Sequence, residues 1–301
     1  MSNAFYRRIF FYLTGGDERT GELLTETLAA EETFLTLDPY RKVRPDDEMY
    51  VANSEALSIS LGTDWSALAA AWYVEWERHG PQWRLARNKL MTTMQGIADL
   101  KNGFVTGTAL YDLHSGRISP PSNDARNVGI VKVSHLSAMF GLVEICSELI
   151  HALGKDQPKG FEAAWVDYCH AFNAGEQQQQ ERYGVHFGKL QLRQGHSRLT
   201  AYAAIKRSDD SLRHRAWREF YTGDGYAADE PWLSESVGGD AVLLPVSEAS
   251  WVSTNISALY ALAAIQNLAW LGDPVATAVK DEMKGESRSD ALLGQGLKLR
   301  T

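Results

Sequence analysis

The sequence predicts an all-α protein built as an α/α toroid, in which inner and outer layers of helices alternate. Three observations lead to this fold class. Apolar helices with polar first turns begin near residues 17, 64, 135, 196 and 251. Each lies beside an amphipathic helix with a charged face, and β-type patterns are few and local. Inner helices that run the same way would bring their polar N-terminal turns to one rim, where a cleft can form.

The helices of the first half follow from capping signals and apolar spacing. A short helix over residues 5–13 ends at a glycine pair, and Asp17 opens the next helix with acidic residues in its first turn. Asp64 starts an apolar helix that ends before Pro81. Pro81 then lies in the first turn of an amphipathic helix that reaches Leu100.

A small β-hairpin insertion interrupts the helical pattern. Gly103–Ser119 alternates in hydrophobicity and is punctuated by His114-Ser115-Gly116, which is typical of two short strands and a turn. An exposed loop is predicted to follow over Pro120–Asn127.

The second half repeats the pairing of an apolar helix with a charged partner. An apolar helix begins at Ser134-His135 and its partner is Phe161–Arg182; the next pair is Gly195–Ile205 and Leu212–Tyr221; the last is Ser247–Gly272 and Val275–Lys284. Residues 222–246 are rich in Gly, Asp and Pro and predict a loop. The second half of the Ser247–Gly272 helix is apolar on nearly every face, which predicts burial all round.

These elements predict a single toroid domain over residues 5–284. Residues 1–4, Met-Ser-Asn-Ala, look like the remnant of an expression vector, and residues 285–301 are a polar tail. We therefore expect the chain to be a fragment of a longer protein, in which case a signal peptide would not be visible.

Composition and motifs exclude several function classes. The 301 residues carry a net charge of -8, which argues against nucleic acid as a partner. No apolar run reaches the length of about 18 residues that a membrane span needs. A glycine-rich phosphate loop, a Gly-x-Ser-x-Gly elbow and a His-Glu-x-x-His motif are all missing, so phosphoryl transfer and serine hydrolysis get no support. No cofactor is expected, and a bound Ca²⁺ stays an open alternative.

The two cysteines, Cys146 and Cys169, flank a predicted turn at similar distances. An antiparallel helix pair would place them at about the same height. A disulfide and two buried free thiols are both compatible with this arrangement.

Four side chains near the predicted rim could carry chemistry, and each has a structural alternative. His135 and His196 lie in predicted first turns, where a histidine can act as a base or cap the helix. Arg198 offers a bidentate fork for a carboxylate. Tyr202 follows among alanines, whose small side chains would let a ligand approach, although a tyrosine can equally fill a core.

Further residues are candidates for substrate binding. Trp65 and Trp251, at the starts of inner helices, predict platforms on which sugar rings stack, whereas Trp72, Trp76 and Trp270 predict core. The remaining candidates are polar or aromatic side chains at the predicted rim: Asp17, Glu18, Arg19, Asn255, Tyr183 and His186. For the first three of these, helix capping and local ion pairing are the competing interpretation.

Five motifs together resemble a known family. They are Gly16–Gly21, Asp64–Ser66 with Trp76–Arg78, His135-Leu136 with Phe140-Gly141, Arg198–Tyr202, and Ser250–Asn255. Over roughly residues 5–284 the chain resembles the helical domain of large secreted proteins of the exo-rhamnogalacturonan-lyase-like type. The resemblance implies an α/α toroid that acts on uronic-acid polysaccharide, additional domains upstream in the parent chain, and a secreted or periplasmic location.

A lyase of this kind would work by β-elimination. A base removes the proton at C5 of the uronate, a cation or amide stabilises the developing charge, and an acid protonates the leaving oxygen. Arg198 or Arg19 would neutralise the carboxylate with help from Asn255. One of the two histidines named above would be the base and Tyr202 the acid.

Two other functions stay open. A glycoside hydrolase on the same toroid would need paired carboxylates, for which Asp17, Glu18 and Asp64 are the candidates. A non-catalytic glycan-binding or interdomain module would keep the tryptophan platforms without a complete catalytic set.

Overall fold

The computed structural model describes residues 4–33, 56–188, 190, 192–223, 234–237, 246–249 and 254–273. The chain divides into two compact units, residues 1–188 and 189–301, and each is described by itself. The described residues are mainly helical, as predicted. No helix in these ranges combines the length and hydropathy that a membrane span requires.

The described part of the first unit contains seven α-helices and a small sheet. The helices are α1 (Ala4–Leu13), α2 (Glu18–Thr33), α3 (Asp64–Glu77), α4 (Trp83–Asp99), α5 (Leu142–Leu153), α6 (Phe161–Phe172) and α7 (Glu176–Tyr183). The first four begin within two residues of the predicted positions. This agreement follows from capping and proline signals that act locally.

The sheet has three antiparallel strands in the order β1 (Ala56–Ser60), β2 (Thr108–Asp112) and β3 (Ile118–Ser119). Strands β2 and β3 are the predicted hairpin. Strand β1 was not predicted, although its apolar residues Leu57 and Ile59 alternate with serines and are both buried.

Helix α3 lies in the core of the first unit. Trp72 is buried as predicted, and Trp65 is fully buried as well. The Trp65 ring packs at 5.6 Å from the ring of Phe104 and at 5.9 Å from that of Phe161. The prediction that Trp65 is a sugar platform is therefore wrong, because aromatic side chains from elsewhere in the unit cover the start of α3.

Helix α5 begins at Leu142, seven residues after the predicted start at His135. Residues 134–139 form turns instead, in which the N–H of Ser137 donates to the carbonyl of Ser134 at 3.0 Å. Gly141 precedes the helix with a φ of 94°, a left-handed conformation that favours glycine. His135 is therefore outside any helix.

The helix predicted over Phe161–Arg182 is two helices, α6 and α7. The buried side chain of Gln179 joins them. Its Nε2 donates to the carbonyls of Ala171 and Phe172 at 3.0 and 3.3 Å, which satisfies two groups at the end of α6.

The structure decides between a disulfide and two buried thiols for the cysteines. Cys146 on α5 and Cys169 on α6 are fully buried free thiols. Burial raises the pKa of Cys146 well above its ordinary value, so this thiol is unreactive in the folded protein.

The described part of the second unit has three helices and a hairpin. They are α8 (Arg193–Arg207), α9 (Asp210–Thr222), β4 (Ser234–Val237), β5 (Val246–Ala249) and α10 (Thr254–Leu271), with β4 and β5 antiparallel. The loop predicted over residues 222–246 therefore contains strand β4, and strand β5 begins at its last residue. The last long helix begins at Thr254 instead of Ser247, and the helix predicted over Val275–Lys284 lies outside the described residues.

Helix α10 is buried on one side only. Leu259, Ala263 and Leu271 are buried, whereas Ile265 is 64% exposed and Leu268 is 45% exposed. The prediction that this helix is buried all round is wrong. Its apolar residues outnumber the positions that α8 and α9 can cover.

Candidate functional site

In the first unit, residues 128–140, which we call the rim segment, link the N-terminal ends of two apolar helices. The segment leads into α5. It also touches the turn before α3, since a Cβ atom on Gly62 would lie only 2.3 Å from the carbonyl oxygen of Ser137. Polar and aromatic side chains carried by this segment therefore lie beside the helix ends at which the sequence predicts a cleft.

The rim segment has a fixed backbone despite its irregular structure. The buried carboxylate of Asp124 accepts hydrogen bonds from the N–H groups of residues 128, 129 and 130 at 2.8, 2.9 and 3.2 Å. The N–H of Lys132 donates to the carbonyl of Val105 at 3.0 Å. These bonds hold the segment against the rest of the unit.

We expect Asp124→Ala to loosen the rim segment without unfolding the protein. Burial acts to raise the pKa of Asp124, but the three backbone hydrogen bonds outweigh it and lower the pKa. The stabilisation is therefore present above the unfolded-state pKa of about 3.9 and is lost as pH falls through the lower folded value. Amide hydrogen exchange should be faster at residues 128–130 in the variant. Unchanged protection there, with Asp156→Ala as the exposed control, would contradict this role.

The rim segment exposes side chains that suit a carbohydrate. Phe140 is 45% exposed and Lys132 is exposed. His135 lies between them in the sequence and is half-buried. An aromatic face can stack on a sugar ring, while an imidazole and an ammonium group can bind its polar substituents. His135 is thus partly exposed and lies in a turn instead of a helix.

The three candidates at the start of α2 have local partners. Asp17 caps the helix by accepting from the N–H of Thr20 at 2.7 Å, and hydrogen bonds from Thr20 lower the pKa of Asp17. Arg19 pairs with Glu22 at 2.8 Å. Glu18 lies in the first turn and is exposed. Capping accounts for Asp17 and ion pairing for Arg19, and the role of all three residues in substrate binding stays a prediction.

Tyr183 and His186 lie at the end of α7. The hydroxyl of Tyr183 donates to Asp167 on α6 at 2.9 Å, and Arg182 pairs with the same carboxylate at 3.2 Å. Burial and Asp167 raise the pKa of Tyr183, so its hydroxyl stays protonated. His186 is exposed and accepts from the N–H of Gly188 at 3.1 Å.

In the second unit, α8 carries three of the predicted catalytic residues. The helix begins at Arg193, so His196 ends its first turn and Arg198 lies in the second turn instead of the first. Both side chains are fully buried, and Tyr202 is 3% exposed. Direct contact with a polysaccharide would require part of this unit to move. Trp251 and the side chain of Asn255 lie outside the described residues.

The contacts of α8 explain why these side chains are buried. Nη1 of Arg198 donates to Gln266 of α10 at 3.4 Å. One turn later on both helices, the ring of Tyr202 meets Trp270 edge-on at 5.4 Å. This alignment shows that Arg198 and Tyr202 face α10.

A second set of polar contacts joins α8 to its neighbours and was not predicted. The amide of Asn267 on α10 donates to Ser197 at 2.9 Å. Thr200 donates to Glu219 of α9 at 2.6 Å, and Glu219 pairs with Arg215 at 3.0 Å. These hydrogen bonds and this ion pair fix the packing of the three helices.

A charged cluster that sequence analysis missed links α1, α3 and α5. Arg8 forms a bidentate pair with Glu77 and lies 3.4 Å from Glu148. Tyr12 donates to Glu77 at 3.0 Å, and Tyr73 donates to Glu148 at 3.3 Å. Arg8 and Glu77 are 69 residues apart, so no local pattern could reveal the pairing.

We expect Glu77→Gln to lower the free energy of unfolding by about 2 kcal/mol, the range for hydrogen bonds to charged groups. Burial acts to raise the pKa of Glu77, but Arg8 and Tyr12 lower it overall. The stabilisation by the Glu77 carboxylate is therefore present above its unfolded-state pKa of about 4.3 and disappears as pH falls through its folded-state pKa. Urea midpoints at neutral and acidic pH test this. Glu22→Gln, which breaks an exposed pair, should leave the midpoint nearly unchanged. Equal effects of the two variants would contradict the assignment.

Among the described residues, no group of three or more His, Cys, Asp or Glu side chains is arranged to hold a metal ion.

Comparison with known proteins places this geometry in context. A family model described as the C-terminal α/α toroid domain of PcRGLX-like proteins matches residues 1–276. The match confirms the predicted fold class and the family resemblance drawn from the sequence motifs.

Protein YetA of Bacillus subtilis (strain 168) is 25% identical to the chain over 289 residues. The alignment covers 95% of this chain and 31% of YetA, whose own function is uncharacterised. The chain therefore spans about a third of the length of that relative.

Proposed function

The chain belongs to the family of PcRGLX-like C-terminal α/α toroid domains, and from this premise we propose that it acts on uronic-acid polysaccharide of the pectin or rhamnogalacturonan type. The family match over residues 1–276 carries the proposal. The proposed chemistry is β-elimination and the proposed location is outside the cytoplasm. The rest of a longer parent chain is the proposed protein partner.

The local charge of two helices in the second unit supports an anionic ligand. Residues 193–222, which form α8 and α9, contain seven Lys or Arg and three Asp or Glu, a local charge of +4 in a chain of net charge -8. Several of these cations are exposed, among them Arg193, Lys206 and Arg218. A basic surface on an acidic protein attracts a polymer that carries repeated carboxylates.

In the proposed reaction, a base takes the proton from C5 of the uronate and the C4–O bond to the leaving sugar breaks. The electron pair forms a C4–C5 double bond, and an acid protonates the leaving oxygen. A cation beside the uronate carboxylate stabilises the charge that develops. No water is consumed.

We assign the base to His135, because it is half-buried on the rim segment, beside the exposed Phe140 and Lys132 in sequence. Lys132 can supply the cation. His196 and Arg198 are fully buried, which favours a positioning role for them within α8. Tyr202 is 3% exposed, and its role as the acid stays a prediction from the sequence.

Hydrolysis by paired carboxylates has less support. Asp17 caps α2, and Asp64 accepts from the N–H of Ser60 at 2.9 Å. Hydrogen bonds from Thr20 lower the pKa of Asp17, which makes it a poor proton donor, whereas a glycosidase needs one carboxyl group with a raised pKa.

The proposal is tested by incubating the chain with a panel of pectic polysaccharides, with Ca²⁺ and with a chelator. Ultraviolet absorbance from unsaturated uronate and new reducing ends are followed together. Both signals should rise in parallel. New reducing ends without ultraviolet absorbance would contradict elimination. The absence of both signals, with this chain and with a full-length parent, would contradict any cleavage of these polysaccharides.

A further inference from the structure

Two exposed tyrosines of the second unit each rest on a buried aromatic ring. Tyr221 of α9 is 43% exposed and stacks on Trp217, with 5.9 Å between ring centroids and an interplanar angle of 23°. Tyr260 of α10 is 45% exposed and lies 4.8 Å from the ring of Phe220. The ring of Phe220 also lies 5.3 Å from that of Tyr221, so one buried side chain supports both.

This support fixes the two exposed rings before any ligand arrives. Trp217 and Phe220 are 4% and 3% exposed, so they belong to the core and do not move freely. A tyrosine held against such a ring loses little conformational entropy on binding, and its outer face stays open to solvent. Aromatic faces with a hydroxyl at the edge are suited to sugar rings, which present C–H groups on one face and hydroxyls around the rim.

A cation lies next to this aromatic pair. Arg218 is exposed and precedes Tyr221 by three residues on α9, a spacing that puts both side chains on the same face of the helix. His214 is exposed one turn further back. Arg218 is therefore an exposed cation on the same face of α9 as the ring of Tyr221.

The tyrosine hydroxyl can take part in the same contact. Partial burial, Tyr260 and Asp273 together raise the pKa of Tyr221, so the hydroxyl keeps its proton and can donate to a sugar oxygen. Asp273 is an acidic neighbour that opposes an anionic ligand, but the local charge of +4 on α8 and α9 exceeds it.

We propose that Tyr221, Tyr260 and Arg218 form a surface binding site for an acidic saccharide, additional to the residues assigned to catalysis. The two rings stack on sugar units and the guanidinium pairs with a uronate carboxylate. The class of ligand rests on the proposed function, whereas the site itself rests on the geometry of the second unit. Such a site would hold a polymeric substrate on the domain between cleavage events.

Calorimetric titration of the 301-residue chain with a short galacturonate oligomer tests the site. A neutral galactose oligomer of equal length is the comparison ligand. The variants are Tyr221→Ala with Tyr260→Ala, and Arg218→Gln. The matched controls are Phe10→Ala, an exposed aromatic of α1, and Arg84→Gln, an exposed arginine of α4.

We expect the acidic oligomer to bind in preference to the neutral one and more weakly at high salt. The double tyrosine variant and Arg218→Gln should each raise the Kd at least about tenfold, while the controls leave it unchanged. Tyr221→Phe should retain most of the affinity, since the ring face remains. Circular dichroism checks that every variant is folded.

An unchanged Kd in both variants would overturn the proposal, as would equal binding of the neutral oligomer or no binding at all. Cleavage is measured in parallel. Binding that depends on the tyrosines, in a protein that cleaves no polysaccharide, would uphold this site and refute the proposed enzymatic function. Cleavage without tyrosine-dependent binding would uphold the function and refute the site.

Discussion

Replacing Gly107 with alanine is expected to lower the free energy of unfolding by at least about 3 kcal/mol. Gly107 has a φ of 77°, and a Cβ atom there would lie 1.8 Å from the carbonyl oxygen of Lys132. Alanine therefore meets both backbone strain and a clash with backbone that cannot rotate away. The clash falls on the rim segment, so the variant should also disturb the surroundings of His135.

A matched control separates the clash from the strain. Gly184 has a φ of 75°, and a Cβ atom at this position would have nothing within 4 Å. Gly184→Ala should therefore show only the strain of a left-handed alanine, about 1 kcal/mol. Urea denaturation measures both variants. Equal losses for the two would show that Gly107 does not bring the rim segment into close contact.

Replacing His135 with alanine is expected to reduce kcat on a cleaved pectic substrate at least about a hundredfold, the usual loss of a general base. His135 lies in a turn and is half-buried, so the fold should tolerate the change. KM should change much less than kcat, because a base acts in the transition state. Steady-state kinetics on the ultraviolet signal give both values.

His151→Ala is the control for this prediction, since His151 is an exposed histidine of the same unit. It should keep full activity. A His135→Ala protein that is folded and as active as the control would remove His135 from the mechanism. A variant that changes KM alone would reassign it to substrate binding.

Much of the fold could be predicted from local sequence signals. Asp17 caps α2, and Asp64 is an acidic residue in the first turn of α3. Pro81 lies two residues before α4 instead of in its first turn, so that start is right only to within two residues. The hairpin of β2 and β3 follows from alternation and a turn. In each case the information lies within a few residues of the element.

The errors lie where contacts distant in sequence decide the structure. Leu136, Phe140 and Val143 have helical spacing, but the turn at Ser134–Ser137 and the contact of Ser137 with Gly62 keep residues 134–139 out of α5. Periodicity alone cannot detect such a contact.

The same limit applies to the candidate site. The polar first turn of α3 indicated an open helix end, but Phe104 and Phe161 cover Trp65. The burial of Arg198 depends likewise on α10, whose Gln266 it contacts. Residue type indicated which side chains could do chemistry, whereas access was set by tertiary packing.

The most direct test of the proposed function is the cleavage of rhamnogalacturonan by this chain in water labelled with heavy oxygen, with the products analysed by mass spectrometry. β-Elimination adds no water, so we expect unsaturated uronate ends and no label beyond the exchange of anomeric oxygen that an intact oligosaccharide standard shows in the same water. Saturated ends with one labelled oxygen for each broken bond, above that exchange, would identify hydrolysis and contradict the proposed elimination.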